Sequence, residues 1–179
     1  ENKVDFNHPG RITVRFRSPI GTGMWPAIWM MPEESIYGGW PASGEIDLVE
    51  TKDTTSQILY TTIHYGIENY RTAGRVTNFT FLNQLSNVEE HNTIRLIWHE
   101  DSLSWLVNNN EVYTVNFSAL EGLDPNPFLE SFHMLLNVAV GGHFPAQLPV
   151  GEEFCNYDDE CLDSKKLIID YVAYYSKDT

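Results

Sequence analysis

Apolar and polar residues alternate along several short stretches of the chain, and helical periodicity is scarce. Residues 11–17 are the clearest case, because Ile12, Val14 and Phe16 are separated by polar side chains. Alternation with a period of two is typical of a β-strand that buries one face. Comparable runs occupy residues 58–64, 93–99, 104–107, 111–117, 133–140 and 167–175.

Turn-forming residues separate these runs. Segments rich in Gly, Pro or Asn lie at residues 19–23, 38–39, 108–110, 141–142 and 145–151. Many short strands joined by polar turns predict an all-β fold, an antiparallel β-sandwich. The length of 179 residues predicts one domain, residues 1–179, with a single sizeable core.

Three carboxylates stand close together in the sequence EIDLVE at residues 45–50. Glu45 and Asp47 are two apart, so they project from one face of a strand. Glu50 has the wrong parity for that face, and one β-bulge near Leu48 and Val49 would correct it. Paired carboxylates facing a cleft are what cleavage of a glycosidic bond requires. A chain with 25 Asp and Glu residues also produces this spacing by chance, so the motif needs support from its neighbours.

That support comes from tryptophan, since three of the five tryptophans lie within 20 residues of the acids. Trp25, Trp29 and Trp40 are candidate platforms for a sugar, because sugar C–H faces pack on indole rings and the indole N–H can reach a hydroxyl. Trp29 lies in the apolar run 27–31, and we expect it to belong to the core instead.

The charge of the chain limits its partners. A formal net charge of −14 argues against nucleic acid or an anionic membrane as a partner. No apolar run approaches the ~20 residues of a membrane span. The charge also favours a neutral polysaccharide over a sulfated or uronic one, although a negative surface equally serves to keep a protein soluble.

Cysteine usage and glycosylation signals favour a secreted, extracellular protein. Cys155 and Cys161 bracket five residues and are expected to close a small loop as a disulfide. Two thiols beside Asp and Glu are a poor zinc site, so no metal site is predicted there. N-glycosylation acceptor tripeptides begin at Asn78 and Asn116, although such tripeptides are common by chance.

Two segments taken together resemble glycoside hydrolase family 16: GTGMWPAIWMMP at residues 21–32 and WPASGEIDLVE at residues 40–50. The segments LLNVAVGG at 135–142 and LIIDYVAYY at 167–175 resemble late strands of that family. The resemblance runs from about Gly10 to the C-terminus and is closest to the laminarinase type, endo-β-1,3-glucanases with a six-residue, bulged acid motif. It implies a concanavalin A-like β-jelly roll whose concave face forms a glycan groove.

The resemblance also implies catalytic roles for the three acids. Glu45 would be the nucleophile and Glu50 the general acid/base, while Asp47 would hydrogen-bond the nucleophile. The outcome would be retaining hydrolysis by double displacement, which needs no cofactor. Glu50 would need a raised pKa, and we expect repulsion from an ionised Glu45 to supply part of that rise.

Further positions match the family's substrate-binding residues. His64 would face the same cleft and Asn137 would hydrogen-bond a sugar hydroxyl. From the residues alone, His64 could equally be a structural hydrogen-bonding group and Asn137 a buried amide bonded to backbone. Phe144 stands where Trp is common in the family, which would weaken one stacking subsite. Asp170 matches a position that ligates a structural calcium in some relatives.

One departure from the family concerns the strands that usually precede the segment matching residues 11–17. Only residues 1–9 stand in their place, so we expect a truncated chain, edge strands supplied by another segment or chain, or a trimmed fold. The expected substrate is a neutral β-glucan with β-1,3 or mixed linkages. Two alternatives stay open: a non-catalytic β-glucan recognition protein, whose kind has lost the catalytic glutamates, and a transglycosylase, which the motif does not distinguish from a hydrolase.

Overall fold

Strands form almost all of the regular structure. The computed structural model describes residues 6–7, 9–19, 21–53, 58–67, 70–78, 91–145 and 165–176. Two single-turn 3₁₀ helices, Phe117–Ala119 and Pro127–Leu129, interrupt the strands within these ranges. None of the helices in these ranges is long and apolar enough to cross a membrane. The ten strands are β1 (Gly10–Arg17), β2 (Met24–Pro32), β3 (Glu45–Glu50), β4 (Ile58–Tyr65), β5 (Arg71–Asn78), β6 (Asn92–Trp98), β7 (Ser102–Val107), β8 (Asn110–Asn116), β9 (Phe132–Val140) and β10 (Ile168–Ser176).

The strands form two five-stranded sheets with antiparallel pairing. One, here called the outer sheet, has the order β10-β1-β6-β7-β8. The other, here called the cleft sheet, has the order β5-β4-β3-β2-β9. The all-β sandwich predicted from the alternation of residues is therefore confirmed, and its two packed sheets are those of the jelly-roll architecture.

The core lies between the two sheets. Strand β6 alternates strictly between buried and half-buried positions, and β4 does the same, so each contributes one face to the core. Two tryptophans of the outer sheet are fully buried there and each donates its indole N–H to a backbone carbonyl. Trp98 Nε1 lies 2.9 Å from the carbonyl oxygen of Phe128, and Trp105 Nε1 lies 3.0 Å from that of Asp47. The second bond ties the outer sheet to the strand that carries the acids.

Strand β3 contains the predicted bulge. On β4, Thr62 pairs with Asp47 and Tyr60 pairs with Glu50, so β3 places three steps opposite two. On β2, Trp29 pairs with Asp47 and Ala27 with Glu50, which shows the same offset. The extra residue leaves both Leu48 and Val49 buried in the core. Their partners Thr62 and Tyr60 are two apart on β4 and therefore share a face. Asp47 and Glu50, which pair with them, lie on the same side of the sheet.

Strand β9 forms one edge of the cleft sheet, and β10 forms one edge of the outer sheet. Within the described residues each pairs with a single neighbouring strand, apart from an isolated bridge between Phe6 and Phe132 of β9. Asp170, on β10, forms an ion pair with the guanidinium of Arg15 on β1. The calcium suggested at Asp170 stays a prediction, as does the supply of edge strands by another segment or chain.

Candidate active site

The cleft sheet carries a pocket of about 250 Å³ that holds all three acids of the motif. Its floor and walls come from β2, β3 and β9, whose pairing places alternate residues on this face. The lining residues are Trp25, Ala27, Trp29, Glu45, Asp47, Glu50, Asn137 and Ala139. The bulge in β3 therefore brings three carboxylates into one pocket, and their catalytic roles follow as a hypothesis.

Glu45 lies among hydrogen-bond donors. Trp40 donates its indole N–H to Glu45 Oε2, and Glu45 Oε1 lies 3.9 Å from His64 Nε2. Carboxyl oxygens of Glu45 and Asp47 lie within 4.8 Å of each other. Burial raises the pKa of Glu45 to about 7, and both the charge of Asp47 and its contact with Glu45 add to the rise, while His64 and Trp40 act against it.

Asp47 is the most buried of the three acids, with 2% of its surface exposed. His64 Nε2 lies 3.1 Å from Asp47 Oδ2. Burial raises the pKa of Asp47 well above its ordinary range, and the charge of Glu50 adds to the rise. Two buried carboxyl groups this close hold one proton between them, and burial disfavours charge most strongly on the deeper group. We therefore place the shared proton on Asp47 and the negative charge on Glu45.

Glu50 has a different environment at the other end of the motif. Trp25 Nε1 donates to Glu50 Oε1 over 2.9 Å. Burial raises the pKa of Glu50, whereas the bond from Trp25 and the proximity of His64 lower it. Repulsion from Glu45 is the smallest of these four influences, so the expected rise is present but burial is its main cause.

His64 connects the acids to an aromatic cluster with Trp40 and Tyr70, of which sequence reasoning missed Tyr70. Its Nδ1 atom hydrogen-bonds the hydroxyl of Tyr70, and the two rings stack with centroids 5.5 Å apart. Tyr70 packs in turn on Trp40, at 5.2 Å between centroids. Burial lowers the pKa of His64, although Glu45 and Glu50 act the other way. The neutral imidazole is therefore the form to consider near neutral pH.

A second aromatic cluster lies at the Glu50 end. Trp25 packs on Phe144 at 5.2 Å between ring centroids, and Phe144 contacts the ring of Tyr60 at 4.9 Å. Lys52 donates to the backbone carbonyl of Phe144 over 3.0 Å and its ammonium lies 4.3 Å from the centre of the Phe144 ring. The register of β4 could have identified Tyr60, because Tyr60 has the parity of His64 and pairs with Glu50.

The expectation that Trp29 belongs to the core is wrong. Trp29 has the same strand parity as Trp25 and lines the pocket, and its Nε1 donates to Asn137 Oδ1 over 2.7 Å. Asn137 is exposed in the pocket, so its interpretation as a buried amide is also wrong. The fully buried tryptophans are Trp98 and Trp105, from the outer sheet.

The two predicted glycosylation acceptors are not among the residues that line the pocket. Cys155 and Cys161 fall outside the described residues. Asn78 is the last residue of β5, and Asn116 is exposed at the end of β8. Glycosylation of Asn78 and Asn116 stays a prediction.

A larger cavity of about 410 Å³ holds none of the predicted residues. Its lining consists of Glu33, Glu34, Ile36, Glu130 and Ser131, without an aromatic platform. Tyr37 donates its hydroxyl to Glu130 nearby.

One set of potential metal-ligating atoms exists among the described residues. It comprises Glu45, Asp47 and His64, whose donor atoms lie within 4.8 Å of one another. These atoms are engaged with each other and with Trp40 and Tyr70. We interpret the set as a hydrogen-bonded network rather than as a metal centre.

Comparison with known proteins connects this geometry to a family. Residues 3–123 match the family model described as the XgeA-like, catalytic GH16 domain. The chain is 35% identical over 143 residues to the glucan endo-1,3-beta-glucosidase A1 of Niallia circulans, covering 75% of this chain and 20% of that protein. It is 34% identical over 147 residues to the glucan endo-1,3-beta-glucosidase of Cryptopygus antarcticus, covering 79% of this chain and 54% of that protein.

A solved structure shares the whole fold. The catalytic domain of an endo-1,3-beta-glucanase (laminarinase) from Thermotoga petrophila superposes with a TM-score of 0.80 at 25% sequence identity, covering 100% of this chain and 68% of that one. The present chain thus spans between a fifth and just over half of the two curated relatives' lengths.

Proposed function

The chain belongs to the catalytic domains of glycoside hydrolase family 16, and from that membership we propose that it is a secreted, endo-acting β-glucanase with a retaining mechanism. The observation that carries this proposal is the bulge in β3, which presents Glu45, Asp47 and Glu50 to one pocket. Without the bulge, Glu50 would point into the core and no acid/base pair would exist.

The mechanism assigns one step to each glutamate. In the first step Glu45 attacks the anomeric carbon, the glycosidic C–O bond breaks, and Glu50 transfers its proton to the leaving oxygen. In the second step Glu50 removes a proton from water, the water oxygen attacks the anomeric carbon, and the ester bond to Glu45 breaks. Each glutamate receives one indole N–H, and Glu45 differs from Glu50 in lying beside Asp47, the neighbour that the family resemblance gives to the nucleophile. A bound sugar chain would exclude further water from Glu50 and raise its pKa more.

The proposed substrate is a neutral β-glucan with β-1,3 or mixed linkages. Trp40 and Tyr70 at one end of the pocket, and Trp25 at the other, offer ring faces for sugar C–H groups. The net charge of −14 disfavours acidic polysaccharides. The two curated relatives are named as glucan endo-1,3-beta-glucosidases, which supports the same class.

The test is incubation with laminarin, mixed-linkage β-glucan and agarose, followed by sizing of the products. We expect fragments of intermediate length from laminarin, as endo cleavage produces, and none from agarose. Nuclear magnetic resonance of the first product should show the β anomer. An initial α anomer would exclude the retaining mechanism. If added acceptor sugars are elongated and little hydrolysis occurs, the protein is a transglycosylase. If laminarin binds and is not cleaved, the protein is a recognition protein.

The proposal has three further parts: the protein is secreted, Cys155 and Cys161 form a disulfide, and catalysis needs no cofactor. Mass spectrometry of the secreted protein, before and after reduction, tests the disulfide and the glycans at Asn78 and Asn116. Activity measured after treatment with a chelator tests whether calcium at Asp170 contributes. We expect full activity at moderate temperature and, if calcium binds, a lower melting temperature in the chelator.

A further inference from the structure

A chain of side-chain hydrogen bonds runs from the edge of the cleft sheet to the proposed nucleophile. Tyr70, which directly precedes β5, hydrogen-bonds His64 Nδ1 through its hydroxyl. His64 Nε2 lies 3.1 Å from Asp47 Oδ2, and the carboxyl oxygens of Asp47 and Glu45 lie within 4.8 Å of each other. The register of the strands supports this path, because His64 pairs with Thr72 on one side and with Glu45 on the other.

The protonation states give this chain a direction. Partial burial raises the pKa of Tyr70, with added contributions from Glu45, Asp47 and Glu50, so its hydroxyl keeps its proton. The pKa of His64 is lowered, as described above, so the ring has one N–H and one lone pair. A neutral phenol beside a neutral imidazole nitrogen donates its O–H to that nitrogen. The lone pair then lies on Nδ1 and the imidazole proton on Nε2, facing Asp47.

We propose that Tyr70 is a positioning residue, which fixes the tautomer of His64 so that Nε2–H is donated to Asp47 and Asp47 directs its own proton to Glu45. This role rests on the proposed function, since it concerns the nucleophile of that reaction. Every hydrogen bond in the series from Tyr70 through His64 and Asp47 then has its donor on the side of Tyr70 and its acceptor on the side of Glu45. Glu45 receives one N–H from Trp40. In the proposed arrangement it also receives the O–H of Asp47, so the shared proton stays on Asp47 and Glu45 stays ionised.

Loss of the Tyr70 hydroxyl would remove the donor that keeps the lone pair of His64 on Nδ1 and its proton on Nε2. The imidazole could then carry its proton on Nδ1 and accept at Nε2. Asp47 would in that case turn its proton toward His64, and Glu45 would lose a donor. The aromatic stack of Trp40, Tyr70 and His64 does not depend on the hydroxyl, so the replacement Tyr70→Phe separates the hydrogen bond from the packing.

The experiment compares the protein with its Tyr70→Phe variant. Tyr171→Phe, an equally conservative change of an exposed tyrosine on β10 of the outer sheet, is the matched control. For Tyr70→Phe we expect kcat on laminarin to fall roughly fivefold to tenfold, as for the loss of one hydrogen bond, with KM changed by less than about twofold. The acid limb of the pH profile should move to higher pH, because Glu45 loses a donor that favours its ionised form. Tyr171→Phe should leave all of these unchanged.

Nitrogen-15 spectra of histidine-labelled protein provide a readout independent of activity. The resonances of His64 are assigned by their loss in His64→Gln. In the parent protein Nε2 should carry the proton, whereas in Tyr70→Phe the population with a protonated Nδ1 should rise.

The outcomes separate the two proposals. A parent protein that cleaves no glucan while its His64 shows the Nε2–H tautomer contradicts the proposed function and leaves the direction of the chain intact. An active parent protein whose tautomer, kcat and acid limb are all unaffected by Tyr70→Phe contradicts the positioning role. A change in KM alone would assign Tyr70 to sugar binding and would overturn the proposal as well.

Discussion

The two ends of the acid motif share a strand and a residue type, yet their surroundings differ in kind. Glu45 lies in a polar network, with an indole donor from Trp40 and the carboxyl group of Asp47 in contact. Glu50 lies in an apolar setting, with one donor from Trp25 and an aromatic cluster beside it. Burial raises the pKa of both glutamates, to about 7 for Glu45, so the two ends differ mainly in their neighbours. In the proposed mechanism, the carboxyl group of Asp47 accompanies the nucleophile and the aromatic rings accompany the acid/base.

Replacing either glutamate by glutamine should have the largest effect and should also separate the two ends. Glu45→Gln and Glu50→Gln are each expected to lower kcat on laminarin by about a thousandfold or more, because each removes a reacting group. Binding of laminarin, measured by affinity electrophoresis, should remain within a few-fold of that of the parent protein in both variants.

An activated aryl β-glucoside oligomer then distinguishes the roles. Its leaving group needs no protonation, so Glu50→Gln should still release a stoichiometric burst of phenol, while Glu45→Gln should release none. A burst from Glu45→Gln and none from Glu50→Gln would exchange the two assignments. Bursts from both variants would mean that neither group is the nucleophile.

Trp25→Phe tests the environment of Glu50. The indole N–H favours the ionised form of Glu50, so its loss should raise the pKa of Glu50 further. Because the acid must be protonated to act, the basic limb of the pH–kcat/KM profile should move to higher pH. The smaller ring also loses packing on Phe144, and we expect kcat/KM to fall roughly tenfold. A basic limb that moves to lower pH would contradict this account of Glu50.

Trp40→Phe makes the corresponding change at the Glu45 end. Removing the indole N–H should raise the pKa of Glu45 above its value of about 7. Since the nucleophile must be ionised, the acid limb should move to higher pH and the basic limb should stay in place. With Trp40 56% exposed, the bond is partly screened, so we expect a loss of roughly fivefold in kcat. Equal movement of both limbs would show that the two ends are coupled rather than distinct.

The strand pattern of the sequence predicted most of the fold because one-sided burial produces alternation. It worked for β1, β4 and β6, whose core faces alternate with half-exposed faces. It did not identify β2, where apolar residues occupy both faces because one side forms the core and the other the pocket. For the same reason Trp29 was assigned to the core, although strand parity with Trp25 places it in the pocket.

The bulge could be predicted because three acids have a parity that only an extra residue reconciles with one face. Tyr70 and Lys52 could not be predicted, because both lie outside the strands and their positions depend on the path of the connecting segments. The bond from Trp105 to the carbonyl of Asp47 also crosses between sheets, and no local pattern carries it. Local periodicity thus determines which face a strand residue occupies, whereas the neighbours across loops and sheets determine its protonation.

Lys52→Met should produce the smallest effect and should be confined to the Glu50 end. The ammonium of Lys52 holds the carbonyl of Phe144 and lies over the rings of Tyr60 and Phe144, so its loss should loosen the aromatic cluster against which Trp25 packs. We expect KM for laminarin to rise roughly twofold to threefold with kcat nearly constant, because a cation–π contact at a partly exposed site contributes ~0.5–1 kcal/mol.

Lys166→Met, which removes the same charge from an exposed position before β10, is the matched control. Lys52→Met should leave the acid limb, and hence the Glu45 end, unchanged. A shift of that limb equal to the one in Trp40→Phe would show that the charge of Lys52 acts across the whole pocket, and the separation of the two ends would then be wrong.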